Sequence, residues 1–126
     1  MPAGVWLGIG CRPGLAPATL DAALAAFAAR HRLDLATLEG LATLEARANE
    51  AALVALAGRQ GLPLRAFSAA RLERETPRLT TPSARVFALT GCHGVAEAAA
   101  LAAAGPAAIL RIPRTAFATV TLAVAG

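Results

Sequence analysis

Two hydrophobic periods alternate along this chain. Residues 4–11 (Gly-Val-Trp-Leu-Gly-Ile-Gly-Cys) form a short apolar run stopped by Arg12-Pro13-Gly14, a pattern that predicts a buried strand running into a turn. Pro17 suits a first helical turn, and Leu20, Leu24, Phe27, Ala28 and His31 then recur at helical spacing. The helix should end at Arg30-His31-Arg32, where cations complement the C-terminal dipole. Residues 34–39 read as a short helical linker ended by Gly40, residues 41–45 as a second strand, and residues 50–60 as a second main helix closed by Gly61. After Pro63 a short strand is expected over residues 64–67, followed by a brief helix capped by Ser68 and running through Glu75. The polar stretch 76–81 is a loop. Thr81-Pro82 then has the form of a cap followed by proline at the first helical position, which predicts a helix over residues 82–89.

Past Gly91, residues 94–104 read as an alanine-rich helix ended by Gly105-Pro106. Residues 107–112 and 116–125 read as strands joined through Pro113-Arg114-Thr115 into an antiparallel hairpin. Strands that alternate with helices and finish in a hairpin predict an α/β fold. It should be a single layered domain over residues 1–126, with a mixed β-sheet flanked by helices and a C-terminal antiparallel strand pair. A length of 126 residues suits one hydrophobic core.

Composition narrows the class. The chain is 56% hydrophobic and 16% charged, which excludes intrinsic disorder. The longest uncharged stretch, residues 98–110, has 13 residues and contains Gly105-Pro106, too short for the roughly 18 to 20 apolar residues of a spanning helix. A soluble globular domain with no membrane partner is therefore expected. Alanine supplies 35 residues, and because its burial contributes little free energy, the elements must approach one another closely to pack.

The net charge of +4 comes from 12 basic residues that are all arginine, with no lysine. GC-rich codons favour Arg, Ala, Gly and Pro together, so part of this is composition bias. The functional counterpart is that the arginine fork grips carboxylates and phosphates bidentately. Nucleic acid is not an expected partner, because the arginines are scattered, tyrosine is absent, and only Trp6 and four phenylalanines could stack on bases. Cys11 and Cys92 follow no signal-peptide pattern and read as free thiols of a cytoplasmic protein.

The first candidate site is Gly8-Ile-Gly-Cys-Arg-Pro-Gly14, glycines on a strand-to-helix turn. As a dinucleotide fingerprint it is defective: Pro13 stands where a glycine is needed, and Asp34, the only acid near the required offset, precedes a helical linker. What remains is a turn suited to an anion, with backbone open to a ligand, a helix N-terminus and the charge of Arg12. Cys11 is read as a packed small residue, since no histidine is near it in sequence. Glu97 falls in the first turn of its helix, where an acid complements the dipole. Cys92-His93 lacks the spacing of a metal site, and no metal or cofactor is expected.

Five blocks in order resemble one family. They are residues 8–14, Leu41-Ala-Thr-Leu-Glu-Ala-Arg-Ala-Asn-Glu50, Leu62-Pro-Leu-Arg-Ala-Phe-Ser68, Gly94-Val-Ala-Glu-Ala-Ala-Ala-Leu101, and Leu110-Arg-Ile-Pro-Arg114 followed by Thr121-Leu-Ala-Val-Ala125. Together they resemble the CobE and CbiG C-terminal family of cobalamin biosynthesis from end to end. The length points to the free-standing members rather than to the multi-domain enzyme that opens a precorrin lactone and releases acetaldehyde.

The resemblance implies a ligand of the precorrin or hydrogenobyrinic-acid type, an apolar tetrapyrrole ring rimmed with carboxylates, held for another enzyme of the corrin pathway. The implied ligand residues are Gly10, Cys11, Arg12 and Gly14 in the first turn, Arg47 in the second block, Gly94 and Val95 at the alanine-rich helix, and Arg114. Arg12, Arg47 and Arg114 lead, because each lies at a strand end or turn. Where family members usually carry lysine at 114 and often at 47, this chain has arginine, which excludes a Schiff-base amine and leaves anion binding. Gly94 replaces a common serine, and Pro13 and Leu15 replace more polar residues. The alternative implied by the family is a hydrolase or deacylase acting on a precorrin-5-type intermediate, with Glu45, Glu50 or His93 as the base.

Overall fold

The computed structural model describes residues 4–126. Its frame is a five-stranded sheet in the order β3-β2-β1-β5-β4, made by β1 (Val5–Cys11), β2 (Leu38–Leu44), β3 (Leu64–Phe67), β4 (Leu110–Ala116) and β5 (Val120–Ala125). β1 runs parallel to β2 and β2 to β3, whereas β5 is antiparallel to both β1 and β4. The sheet is thus mixed, with the C-terminal pair at one end, as the sequence pattern predicts.

Strand alternation divides the core into two unlike halves. Leu7, Ile9, Leu41, Leu122 and Val124 face α1 (Pro17–His31) and α2 (Ala51–Gln60), which contribute Leu20, Leu24, Phe27, Leu53 and Leu56. Each such side chain contributes about 1.5–3 kcal/mol on full burial, so this face carries most of the hydrophobic stabilisation. The opposite face is covered by α5 (Ala96–Ala104), with α3 (Ala69–Glu73) beside it. There Ala98, Ala99 and Ala102 of α5 meet Ala42 and Leu44 of β2 and Leu72 of α3. α5 rides directly on β1: a Cβ built on Gly8 would lie 1.8 Å from the carbonyl oxygen of Ala96. This is the close approach that an alanine-rich composition demands.

Several boundaries differ from the sequence reading. Only Leu35–Thr37 of the proposed linker is helical, a 3-10 turn capped by Asp34, and the second strand already begins at Leu38. Gly40 is therefore a strand residue; a Cβ there would lie 2.3 Å from the Trp6 ring, so its role is to seat that indole. The strand ends at Leu44, and Glu45–Arg47 forms another 3-10 turn. Glu50 precedes α2 in extended conformation.

The fourth helix, α4, spans Ala84–Thr90 and is capped by Ser83, whose Oγ accepts from the Val86 amide at 3.2 Å, so Thr81 and Pro82 lie outside it. Ser83 prevails because its own amide is tied back to the His93 carbonyl at 2.8 Å, which sets the chain direction at that residue. α5 starts at Ala96 rather than at Gly94.

The hairpin connection is at residues 117–119, and Pro113-Arg114-Thr115 lies inside β4. Proline is tolerated there because β4 is an edge strand with register shifts between Leu110 and Ile112 and between Ile112 and Thr115. Among the described residues no helix is long and apolar enough to cross a membrane.

Candidate ligand-binding cleft

The first turn is braced from two sides. Gly14 takes a φ of +80°, a conformation glycine adopts without strain, and its amide donates to Glu50 Oε1 at 2.8 Å. The Arg47 Nε donates to the Cys11 carbonyl at 2.9 Å, and the Arg12 amide reaches the Thr119 carbonyl at 3.4 Å. These bonds hold the end of β1 against the start of α2 and against the β4–β5 turn.

Beside that turn lies a cleft of about 320 Å³. Gly10, Cys11 and Arg12 form one wall, and residues 94–97, leading into α5, form the next. Arg85, Val86, Leu89 and Thr90 of α4, Arg114 of β4 and residues 117–121 complete the lining. Leu79, Val86, Leu89, Phe117 and Val120 make the lining largely apolar, and the hydroxyls of Thr81, Thr90, Thr119 and Thr121 are spaced around it.

The electrostatics have one dominant sign. Arg12, Arg85 and Arg114 are exposed, and among the described residues none of their guanidinium groups makes an ion pair or hydrogen bond. The N-terminus of α5 adds a partial charge of roughly +0.5 and backbone amides that lack intrahelical acceptors.

Among the described residues the lining holds one carboxylate, Glu97, which is buried and already engaged. Its Oε1 accepts from the Thr80 amide at 2.9 Å, while its Oε2 accepts from the Thr80 hydroxyl at 2.6 Å and the Arg114 amide at 2.8 Å. With three donors aimed at it, Glu97 acts as a fixed acceptor joining α5, the loop before α4 and the edge strand. The Cys11 thiol is half-buried; burial and the nearby Glu50 carboxylate push its pKa up, and Arg47 only partly opposes them. It is therefore a neutral thiol at neutral pH rather than a nucleophilic thiolate.

Six of the eight ligand residues that the resemblance implies line this cleft: Gly10, Cys11, Arg12, Gly94, Val95 and Arg114. Gly14 and Arg47 stand behind it, in the bracing of the first turn. The three candidate bases lie outside its lining. Glu45 is exposed in a 3-10 turn, and Glu50 holds the Gly14 amide. The His93 Nδ1 lies 2.7 Å from Glu73, with its ring stacked on Phe87 at 4.4 Å. Cys92 is buried, with Sγ 3.3 Å from the Thr90 hydroxyl.

Arg85, Thr90 and Thr119 belong to no sequence motif, and sequence reasoning misses them; Thr81 and Thr121 stand out there only as a helix cap and as the start of a closing strand block. The available signal is the helical spacing of Arg85, Val86, Leu89 and Thr90, which gives α4 one mixed apolar and cationic face. The signal at Glu97 is a lone acid in a helix otherwise made of alanine and leucine.

Fold and cleft together define the class, an α/β domain with an arginine-lined apolar cleft where its central strand meets the start of α5. The chain belongs to the family Cobalamin synthesis G C-terminus (CbiG_C), which matches it over residues 5–125, and is a protein of cobalamin biosynthesis. Protein CobE of a Sinorhizobium species is 42% identical to it over 128 aligned positions, covering 98% of this chain and 80% of that protein. The crystal structure of CobE, a protein from the cobalamin (vitamin B12) biosynthetic pathway, superposes with a TM-score of 0.90 at 36% identity, over 99% of this chain and 91% of the other. Cobalamin biosynthesis protein chiG from Agrobacterium tumefaciens str. C58 superposes with a TM-score of 0.73 at 35% identity, over 96% of each chain.

Proposed function

We propose that the cleft binds a carboxylate-rich precorrin or corrin tetrapyrrole and holds it for an enzyme of the corrin pathway. The observation that carries this reading is that three arginines whose guanidinium groups have no partner among the described residues line one apolar cleft together with the start of α5. A single exposed arginine–carboxylate pair contributes only about 0–1 kcal/mol. Convergent pairs partly shielded by an apolar wall act instead as charged hydrogen bonds, at about 1.5–3 kcal/mol each. Three of them suffice to retain a polycarboxylate without covalent chemistry. A volume of about 320 Å³ is at the small end of ligand pockets, so a macrocycle enters by one edge and leaves the rest accessible to a partner enzyme. The two free thiols, Cys11 and Cys92, suit a reducing cytoplasm.

A hydrolase or deacylase acting on the same ligand needs a base within reach of a water beside the reacting carbonyl. Glu45, Glu50 and His93 lie outside the lining, Glu97 is saturated by donors and Cys11 is neutral, so the binding reading is the stronger one. Incubation of the purified protein with a precorrin-5-type intermediate separates the two. The binding reading predicts a stoichiometric shift of the visible spectrum with no released acetate or acetaldehyde; multiple turnovers overturn it.

A further inference from the structure

We propose that α4 is a specificity jaw of this cleft, in which Arg85 pairs with carboxylates on a second edge of the ligand and Leu89 covers the ring face, so that the protein selects tetrapyrroles carboxylated on more than one edge. The inference rests on the tetrapyrrole reading above and adds a determinant that distinguishes one tetrapyrrole from another.

α4 is built unlike the other helices. None of its residues is buried, and Leu89 is 77% exposed although it lines the cleft. Arg85 and Leu89 stand one turn apart on the face that also carries Val86 and Thr90, all four of them in the cleft wall. Phe87, on another face of the helix, stacks on His93 at 4.4 Å. The segment is closed at its base by the Ser83 amide donating to the His93 carbonyl at 2.8 Å, and His93 is fixed in turn by its amide and its ring nitrogen to Glu73.

The helix is thus anchored through its ends and Phe87, while its inner face meets the cleft in place of a core. Arg12, at the end of β1, and Arg114, in β4, enter the lining from the sheet, and Arg85 enters it from α4. Carboxylates confined to one edge engage only the sheet side, whereas carboxylates on two edges engage both. An arginine without a partner among the described residues, one turn from an uncovered leucine, matches a ligand that is charged at its rim and apolar on its face.

Fluorescence titration with two porphyrins tests this. Uroporphyrin carries carboxylates on every edge, and mesoporphyrin IX carries both of its propionates on one edge. The wild-type protein is expected to prefer uroporphyrin. Arg85→Ala should weaken uroporphyrin binding by about tenfold to a hundredfold and leave mesoporphyrin nearly unchanged, collapsing the preference. Leu89→Ser should weaken both probes by a similar factor and preserve the ratio. Arg74→Ala, exposed and away from the cleft, should change neither. Matching circular dichroism and thermal midpoints establish that the variants fold. A wild-type preference that survives Arg85→Ala, or equal weakening of both probes in that variant, overturns the jaw while leaving the tetrapyrrole reading intact. Failure of the wild-type protein to bind either porphyrin overturns both.

Discussion

The buried carboxylate of Glu97 accepts a hydrogen bond from the backbone amide of Arg114 at 2.8 Å, joining the first turn of α5 to the edge strand β4. The irregular register of β4 at this point explains why a side chain, and not the neighbouring strand, meets that amide. The same carboxylate holds Thr80, so one residue sets the spacing between three parts of the cleft wall. Glu97→Ala should destabilise the protein by about 2–4 kcal/mol, because it leaves two backbone amides and a hydroxyl without their acceptor. Glu97→Gln should cost less but still destabilise, since its NH2 group must face at least one donor. Urea midpoints of the two variants check this order.

Gly8 is where the sheet and α5 come closest. An alanine there would put its Cβ 1.8 Å from the Ala96 carbonyl oxygen and 2.9 Å from the Ala100 amide nitrogen, both backbone atoms that cannot swing aside. Gly8→Ala should therefore push the helix off β1 and cost more than about 3 kcal/mol, read as a large fall in denaturant midpoint or loss of folded protein. Gly58→Ala is the comparison: a Cβ there would meet no atom within 4 Å, and alanine favours a helix interior, so stability should hold or rise slightly.

The order of elements was readable because strand runs and helical spacings were bounded by proline and glycine. The apolar run that holds Leu7 and Ile9 and the helical stripe of Leu20, Leu24 and Phe27, which meet in the larger half of the core, follow from hydrophobic periodicity alone. The misread positions were those where tertiary contacts give a punctuating residue another task. Gly40 looks like a helix stop but seats Trp6 inside a strand, and Pro113 looks like a turn but sits on a sheet edge that needs no donor from it. In the cleft, Arg12 and Arg114 were legible as charges at element ends. Arg85 was not, because its helix buries no residue and lacks the apolar core stripe that orients other helices. The full engagement of Glu97 depends on Thr80 and Arg114, each 17 positions away, beyond any local pattern.

A second buried carboxylate makes stability depend on pH. Burial raises the Glu75 pKa, but hydrogen bonds and charge from Arg71 and Arg78 outweigh it and hold the group below its ordinary value near 4.5. Arg78 also donates to the Ala108 carbonyl at 2.9 Å, so the pair ties the segment after α3 to the approach to β4. A depressed folded-state pKa means that this stabilisation is fully present above about pH 4.5 and is lost as pH falls through the lower folded value. Denaturant midpoints between about pH 6 and about pH 2.5 should show wild-type protein well above Glu75→Gln at the upper end, with the gap closing at the acid end. A gap that stays constant with pH contradicts the assignment.

The arginine-lined cleft is tested most directly by equilibrium binding of a polycarboxylated tetrapyrrole to the wild-type protein and to Arg12→Ala and Arg114→Ala, neither of which removes a side-chain hydrogen bond or ion pair among the described residues. Retention of the ligand by these arginines predicts one ligand per chain, an affinity that falls as salt is raised, and a loss of about tenfold or more in each variant with the fold unchanged. No binding by the wild-type protein, or equal affinity in all three, would contradict it.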